Sequence, residues 1–297
     1  MIKQPIEGVL PPMITPFKEN GAVDYDGHVR NMGKWNEDQL SGYVVLGSNS
    51  ETAYLNEKEK IKLIELTVKH ALPDRFILAG TGMESVRETI SLTNKAADMG
   101  VDGALLLTPF FYYGHMNDEA MIAYFSEVAD NVKIPVFIYN VSKFTHISIS
   151  PHAVGILSQH PNIIGLKDSD GNIPQLVNFQ NVMAKDFNLM VGTVSAWYPA
   201  LLLGIKAGIF ASANCMPNEC ALIQREFNAG NIDKAREIYM RIFPVNTAVT
   251  ATYGVAGLKF VSSTMGYHGG YVRSPLQPLK DIEKENMTNI LKTAKLL

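Results

Sequence analysis

The sequence predicts an α/β fold, a (β/α)8 TIM barrel with a C-terminal helical extension. Three observations carry the prediction. Eight short apolar runs recur along the first two thirds of the chain, amphipathic segments with helix-start signals separate them, and a polar residue stands at or near the end of each run. The runs lie at 8–17, 42–48, 75–82, 103–110, 134–140, 162–169, 188–194 and 208–214. Most are continuously apolar rather than alternating, as parallel strands covered on both faces must be.

The intervening segments read as helices for local reasons. Asn56 precedes "EKEKIKLIELTVKH" with Glu59 three residues on, a capping-box spacing. Ser85 opens "VRETISLTNKAAD" with Glu88 in the same relation, and Gly100 follows its end. "NDEAMIAYFSEVADNV" places its acids in the first turn, where the helix dipole favours them. Eight such units in about 220 residues favour a closed barrel over an open doubly wound sheet. Beyond about residue 218 the strand rhythm stops and the chain reads as helices. The expected organisation is a catalytic barrel over 1–223 and a helical region over 224–297.

Composition narrows the function. The chain of 297 residues is 46% hydrophobic and 19% charged with a net charge of −3, so it can bury a large core and carries no basic excess for nucleic acid. Cys215 and Cys220 are the only cysteines, which leaves no disulfide framework and argues against a zinc site. The N-terminal "MIKQPIEGVLPPMITPF" lacks a continuous apolar leader core, and no run is long enough to span a bilayer. The expectation is a cytoplasmic enzyme in a reducing compartment, without a membrane or nucleic-acid partner.

In such a barrel the chemistry sits where the strands end. Thr15, Ser48, Thr81, Thr108, Asn140, Asp168, Thr193 and Asn214 mark those ends, and Lys167 closes the apolar run of strand six. A lysine at a strand end is ordinarily a solvated surface group. One enclosed by apolar strands loses hydration in its charged form, so its pKa falls and the free amine becomes a nucleophile. Such an amine can condense with a ketone to a Schiff base, an electron sink for making or breaking a carbon–carbon bond. Tyr139, ending the adjacent strand five, could relay the proton; packing alone would explain it equally well. "LGSNSE" offers hydroxyl, amide and backbone N–H donors for a carboxylate after strand two, or an ordinary β-turn.

Other patterns fail. "GTGMES" lacks the third glycine of a dinucleotide loop. "DSDGN" has its glycine too early for a calcium loop, and Phe179 stands where the terminal glutamate belongs. The seven histidines show no HxxxH spacing, so no metal is expected. "GSNSE" is not the GxSxG elbow of serine hydrolases.

"GSNSE", "YNVSKFT" and "GLKDSDG", in this order and spacing, resemble the dihydrodipicolinate synthase / N-acetylneuraminate lyase family, and the likeness runs from "PPMITPF" to "GGYVRSPLQPL". The resemblance implies a cofactor-free class I aldolase acting on pyruvate or another 2-oxo acid, assembled as a homotetramer (a dimer of dimers). It makes Lys167 the imine-forming lysine and Tyr139 the acid/base relay. Ser48 and Asn49 would bind the pyruvoyl carboxylate, Ser48 also assisting the relay, and Gly192 would shape the pocket after strand seven.

Departures from the family pattern narrow the substrate. Phe144 stands where dihydrodipicolinate synthases carry an arginine, and Val194 and Ser195 replace an acidic pair of sialic acid lyases. "GSN" with "KDS" looks most like 4-hydroxy-2-oxoglutarate aldolases, in which a serine at the position of Ser169 lies in the pocket. The expected reaction is therefore cleavage of 4-hydroxy-2-oxoglutarate to pyruvate and glyoxylate. A 2-keto-3-deoxy-sugar-acid aldolase or dehydratase is the alternative, followed by dihydrodipicolinate synthase or N-acetylneuraminate lyase. A binding protein on an aldolase scaffold is the non-enzymatic one. Phe111 occupies the place of a tyrosine that commonly reaches into the neighbouring subunit's site, leaving Tyr112 or Tyr113 to substitute.

Overall fold

Parallel strands buried on both faces need helices to cover them, and the chain alternates accordingly. The computed structural model describes residues 6–297, so the first five residues of the N-terminal stretch read above lie outside the described residues. In chain order the elements are β1 (Gly8–Leu10), α1 (Tyr25–Asn36), β2 (Gly42–Val45), α2 (Glu57–His70), β3 (Phe76–Gly80), α3 (Val86–Asp98), β4 (Gly103–Leu107) and α4 (Asp118–Asp130). There follow β5 (Val136–Asn140), α5 (Ser142–Thr145), α6 (Pro151–Leu157), β6 (Ile163–Asp168), α7 (Ile173–Val182), β7 (Asn188–Val191), α8 (Trp197–Leu202) and β8 (Ala207–Ile209). From Pro217 onward the regular elements are helices: α9 (Pro217–Asn228), α10 (Ile232–Thr247), α11 (Gly254–Thr264) and α12 (Asp281–Thr293).

The strands form one eight-stranded sheet in the order β1-β8-β7-β6-β5-β4-β3-β2. Its two end strands also meet, because Pro12 and Val44 form a parallel bridge and the Val44 N–H donates to the Pro11 carbonyl at 3.0 Å. A sheet whose ends pair is a closed (β/α)8 barrel. The helix starts expected from sequence are formed: Asn56 and Glu59 make a reciprocal capping box, and the Ser85 side chain accepts from the Glu88 N–H. The first apolar run is shorter as a strand than as a pattern, since Pro11, Pro12 and Pro16 cannot donate to a ladder.

The contacts divide the chain into two compact units. One comprises residues 76–208 together with the N-terminal residues as far as Glu7; it holds β3 to β7, and Phe125, Phe137 and Phe179 are fully buried. The other comprises 8–75 and 209–297, so β1 and β2 belong with the four C-terminal helices. In that unit the Asn214 amide, buried after β8, donates to the Pro12 carbonyl at 3.0 Å and accepts from the Ile14 N–H at 2.9 Å. No helix among the described residues is long and apolar enough to cross a membrane.

Candidate active site

The β5–β6 ladder determines which side chains can meet. Its first pair is Val136 with Ile163, but the next is Phe137 with Gly165, so β6 carries one extra residue, Ile164. Beyond that bulge Tyr139 is level with Lys167, and Asn140 with Asp168. Residues level on neighbouring parallel strands share a face. Without the extra residue the same count would set Tyr139 level with Leu166 and turn Lys167 to the opposite face.

Lys167 and Tyr139 are buried, 3% and 6% exposed. The Lys167 Nζ lies 4.0 Å from the centroid of the Tyr139 ring. Burial pushes the lysine pKa below its ordinary value, and the neighbouring Tyr139 side chain opposes part of that shift. The result is an enclosed amine that gives up its proton more readily than a solvated lysine, beside a phenol.

On the opposite face Asn140 and Asp168, both fully buried, join through an Asn140 Nδ2 to Asp168 Oδ1 bond of 2.7 Å. The same amide reaches Asp170 Oδ2 at 3.2 Å, and its carbonyl accepts from the Ile149 N–H at 2.9 Å. Asp170 Oδ1 accepts from both the backbone N–H and the hydroxyl of Ser142, at 2.9 and 2.8 Å. Burial raises the Asp168 pKa to about 6; the Asn140 hydrogen bond opposes the shift and the Asp170 charge adds to it. In the sequence Asn140 and Asp168 stand out only as polar strand ends. Their signal was the adjacency of each to a candidate catalytic residue.

Ser169 and Gly192 are also brought together. The Gly192 N–H donates to the Asp168 carbonyl at 2.6 Å, and a β-carbon on Gly192 would lie 1.8 Å from the Ser169 hydroxyl oxygen. Only glycine leaves that hydroxyl its place. Ser48 and Asn49 lie in the other unit, in a single 3-10 turn, Ser48–Ser50, directly after β2. Its flanks, Leu46 and Glu51, have φ of 61° and 55°, left-handed values that cost energy in residues other than glycine. The turn is held by Ser50, whose hydroxyl donates to the Gly47 carbonyl at 2.7 Å.

Tyr112 lies on the exposed loop after β4, 68% accessible, edge-on to the Phe111 ring at 5.1 Å. Phe144, in α5, is 48% exposed. Not every polar strand end faces chemistry: the Thr81 hydroxyl bonds that of Thr93 on α3 at 2.7 Å. Cys215 and Cys220 are free and buried, with burial pushing the Cys215 thiol up to about 12, which makes it a poor nucleophile. Among the described residues no three His, Cys, Asp or Glu side chains gather as a metal site requires.

The profile of the dihydrodipicolinate synthetase family matches residues 5–294. The 4-hydroxy-tetrahydrodipicolinate synthase of Methanothrix thermoacetophila is 33% identical over 285 residues, covering 96% of this chain and 95% of the relative. The enzyme of the same name from Archaeoglobus fulgidus is 32% identical over 292 residues, covering 98% and 99%. Among solved structures, the 4-hydroxy-tetrahydrodipicolinate synthase of Methylacidiphilum fumariolicum superposes with a TM-score of 0.92 at 26% identity, over 98% of this chain and 96% of that one. A dihydrodipicolinic acid synthase family protein of Escherichia coli, solved in complex with pyruvate, gives 0.92 at 26% identity over 98% and 99%.

Proposed function

The chain belongs to the dihydrodipicolinate synthetase family and is a pyruvate-dependent class I carbon–carbon lyase, and from that premise we propose that it cleaves or forms a 2-oxo-4-hydroxy acid through an imine on Lys167. The observation that carries the proposal is the enclosed Lys167 amine, 4.0 Å from the Tyr139 ring centroid at the end of β6. A neutral amine attacks the 2-oxo carbon, water leaves, and the iminium forms. The Tyr139 hydroxyl relays the proton from the 4-hydroxyl group as the bond between the third and fourth carbons breaks. The electron pair of that bond moves into the iminium to give an enamine, and an aldehyde departs. Protonation of the enamine carbon and hydrolysis then release pyruvate and restore the amine. Storing the pair on the iminium nitrogen is where most of the barrier is lowered.

In this reading Ser48 and Asn49 donate to the pyruvoyl carboxylate, with Ser48 assisting the relay. Ser169 and Gly192 shape the pocket, Tyr112 supplies a tyrosine near the position taken by Phe111, and the subunits assemble as a homotetramer in the cytoplasm. The substrate is 4-hydroxy-2-oxoglutarate, cleaved to pyruvate and glyoxylate. Support for this choice comes from the "GSN" and "KDS" residues and from the neutral Phe144 at the place of the dihydrodipicolinate synthase arginine.

The names of the relatives favour a second reading, a 4-hydroxy-tetrahydrodipicolinate synthase. A panel decides between them: 4-hydroxy-2-oxoglutarate, 2-keto-3-deoxy-sugar acids, and pyruvate with aspartate semialdehyde. The reading predicts the highest kcat/KM on the first. Highest activity on the last would establish the second reading, and reaction of the sugar acids alone would reject both.

A further inference from the structure

We propose that Asp168 is a positioning residue for Lys167: with Asn140 it forms a buried clasp that holds β6 against β5 in the one register that sets the amine beside the phenol. The proposal rests on the reading of Lys167 and Tyr139 given above and concerns how their geometry is kept.

The need for a clasp follows from the bulge. Two registers are available to these strands, one residue apart, and only one puts Lys167 and Tyr139 on a common face. A bulge leaves a residue unpaired and weakens the ladder locally, so contacts on both sides of it must select the register. Before the site, Gly165 admits the Phe137 ring so closely that a β-carbon there would meet ring carbon Cδ1 at 2.5 Å. The unpaired stretch is tied from β7, where Asn188 Nδ2 donates to the Ile164 carbonyl at 2.9 Å.

Beyond the site, the selecting contact is the 2.7 Å Asn140–Asp168 bond between level residues. It exists only in the bulged register, since one step of slip would set Asn140 level with Lys167. Its polarity is also determined. Ile149 occupies the Asn140 carbonyl oxygen, so the amide N–H2 must face the carboxylates of Asp168 and Asp170. Asp168 Oδ2 takes the Gly171 N–H at 3.3 Å, and the Asp168 carbonyl takes the Gly192 N–H, extending the clasp to the start of the β7 loop.

A fully buried carboxylate is a costly way to fill space, and the upward displacement of its pKa by burial reflects that cost. The directionality of the bond supplies what an apolar side chain could not, a single register.

The test uses the full-length chain and pyruvate alone, so it does not depend on the aldehyde. Two readouts are taken on each variant: the pyruvate adduct trapped by borohydride, and exchange of the pyruvate methyl protons in deuterium oxide followed by NMR. Trapping needs the amine; exchange also needs proton transfer beside it. For Asp168→Ala, which leaves the Asn140 amide no side-chain acceptor at position 168, and for Asn140→Ala the expected result is an adduct close to wild type. The exchange kcat should fall about 10- to 100-fold, as for a reacting group displaced by around an ångström, with little change in pyruvate KM. The double variant should be no worse than the poorer single one, because both remove the same bond.

Asp170→Asn, at a partly exposed position, keeps the test open if the buried variants fold poorly; it should lower exchange a few-fold. Wild-type exchange kcat in the folded fraction of these variants, or multiplicative losses in the double one, would overturn the proposal. Failure of the underlying reading looks different: wild-type protein would then give no adduct, or Lys167→Ala would still give one.

Discussion

Lys167 and Tyr139 are level partners on adjacent parallel strands, and the amine nitrogen lies 4.0 Å from the centre of the phenol ring. The relationship separates two roles that substitution can isolate. Lys167→Ala should abolish turnover and adduct formation together, since no other amine shares this position. Tyr139→Phe keeps the ring and removes only the hydroxyl, so the pyruvate adduct should survive while kcat falls about 10²- to 10⁴-fold, the usual contribution of a proton relay. Pyruvate-coupled kinetics beside adduct trapping measure both; equal losses of adduct and turnover in Tyr139→Phe would show that the hydroxyl does not act as a relay.

The lowered pKa of Lys167 gives imine formation a definite pH course. The neutral amine is the nucleophile, and burial shifts the amine pKa below 10.5. The rate of adduct formation should therefore rise with pH and level off at a lower pH than a solvated lysine would give. A stopped-flow or quench series between pH 6 and 10 measures this, and a rate still climbing as a solvated lysine would at the alkaline end contradicts it.

Two buried groups should act against each other on acid stability. His28, wholly buried against the Thr67 hydroxyl at 3.1 Å, is depressed by burial to about 4 from 6.5. The unfolded chain binds its proton first, so this group removes up to about 3 kcal/mol as pH falls from 6.5 through 4. Asp168 runs the other way: its folded pKa of about 6 exceeds 3.8, so its contribution is present at low pH and is lost as pH rises through 6. That difference is also about 3 kcal/mol. Urea denaturation should show Asp168→Asn to be more acid-sensitive than wild type between pH 6 and 4, and His28→Phe less so. Parallel pH curves for all three would contradict the assignment.

A third buried charge braces the turn after β2. Lys259 of α11 pairs with Glu51 at 2.5 Å, both nearly inaccessible, and also donates to the Tyr271 carbonyl at 2.6 Å. The Arg273 N–H takes the second Glu51 oxygen at 2.8 Å. Lys259→Met would strand the carboxylate and should cost about 3–5 kcal/mol, whereas Lys259→Met with Glu51→Leu should cost clearly less. Denaturation midpoints compare them; equal costs would mean that the pair does not act as a unit.

The barrel was legible because its signals are local and repeated: continuous apolar runs, capping residues and regular spacing. Lys167 and Tyr139 were legible as strand-end residues of adjacent runs. What brings them onto one face was not, because the Ile164 bulge depends on how Gly165 packs against Phe137, and a sequence pattern does not contain that. The Asn140–Asp168 clasp was hidden for the same reason, since each residue alone reads as a polar terminus. Glu51 and Lys259 are 208 positions apart in the chain, and nothing near either one announces the other. The grouping of β1 and β2 with the C-terminal helices is likewise a product of long-range packing.

The central claim is that one enclosed lysine condenses with a 2-oxo acid. Incubating the protein with pyruvate, reducing with borohydride and mapping the product by peptide mass spectrometry tests it directly. The account predicts a single reduced pyruvyl adduct, on Lys167, absent from Lys167→Ala. Unmodified protein, or an adduct on any other lysine, would contradict it.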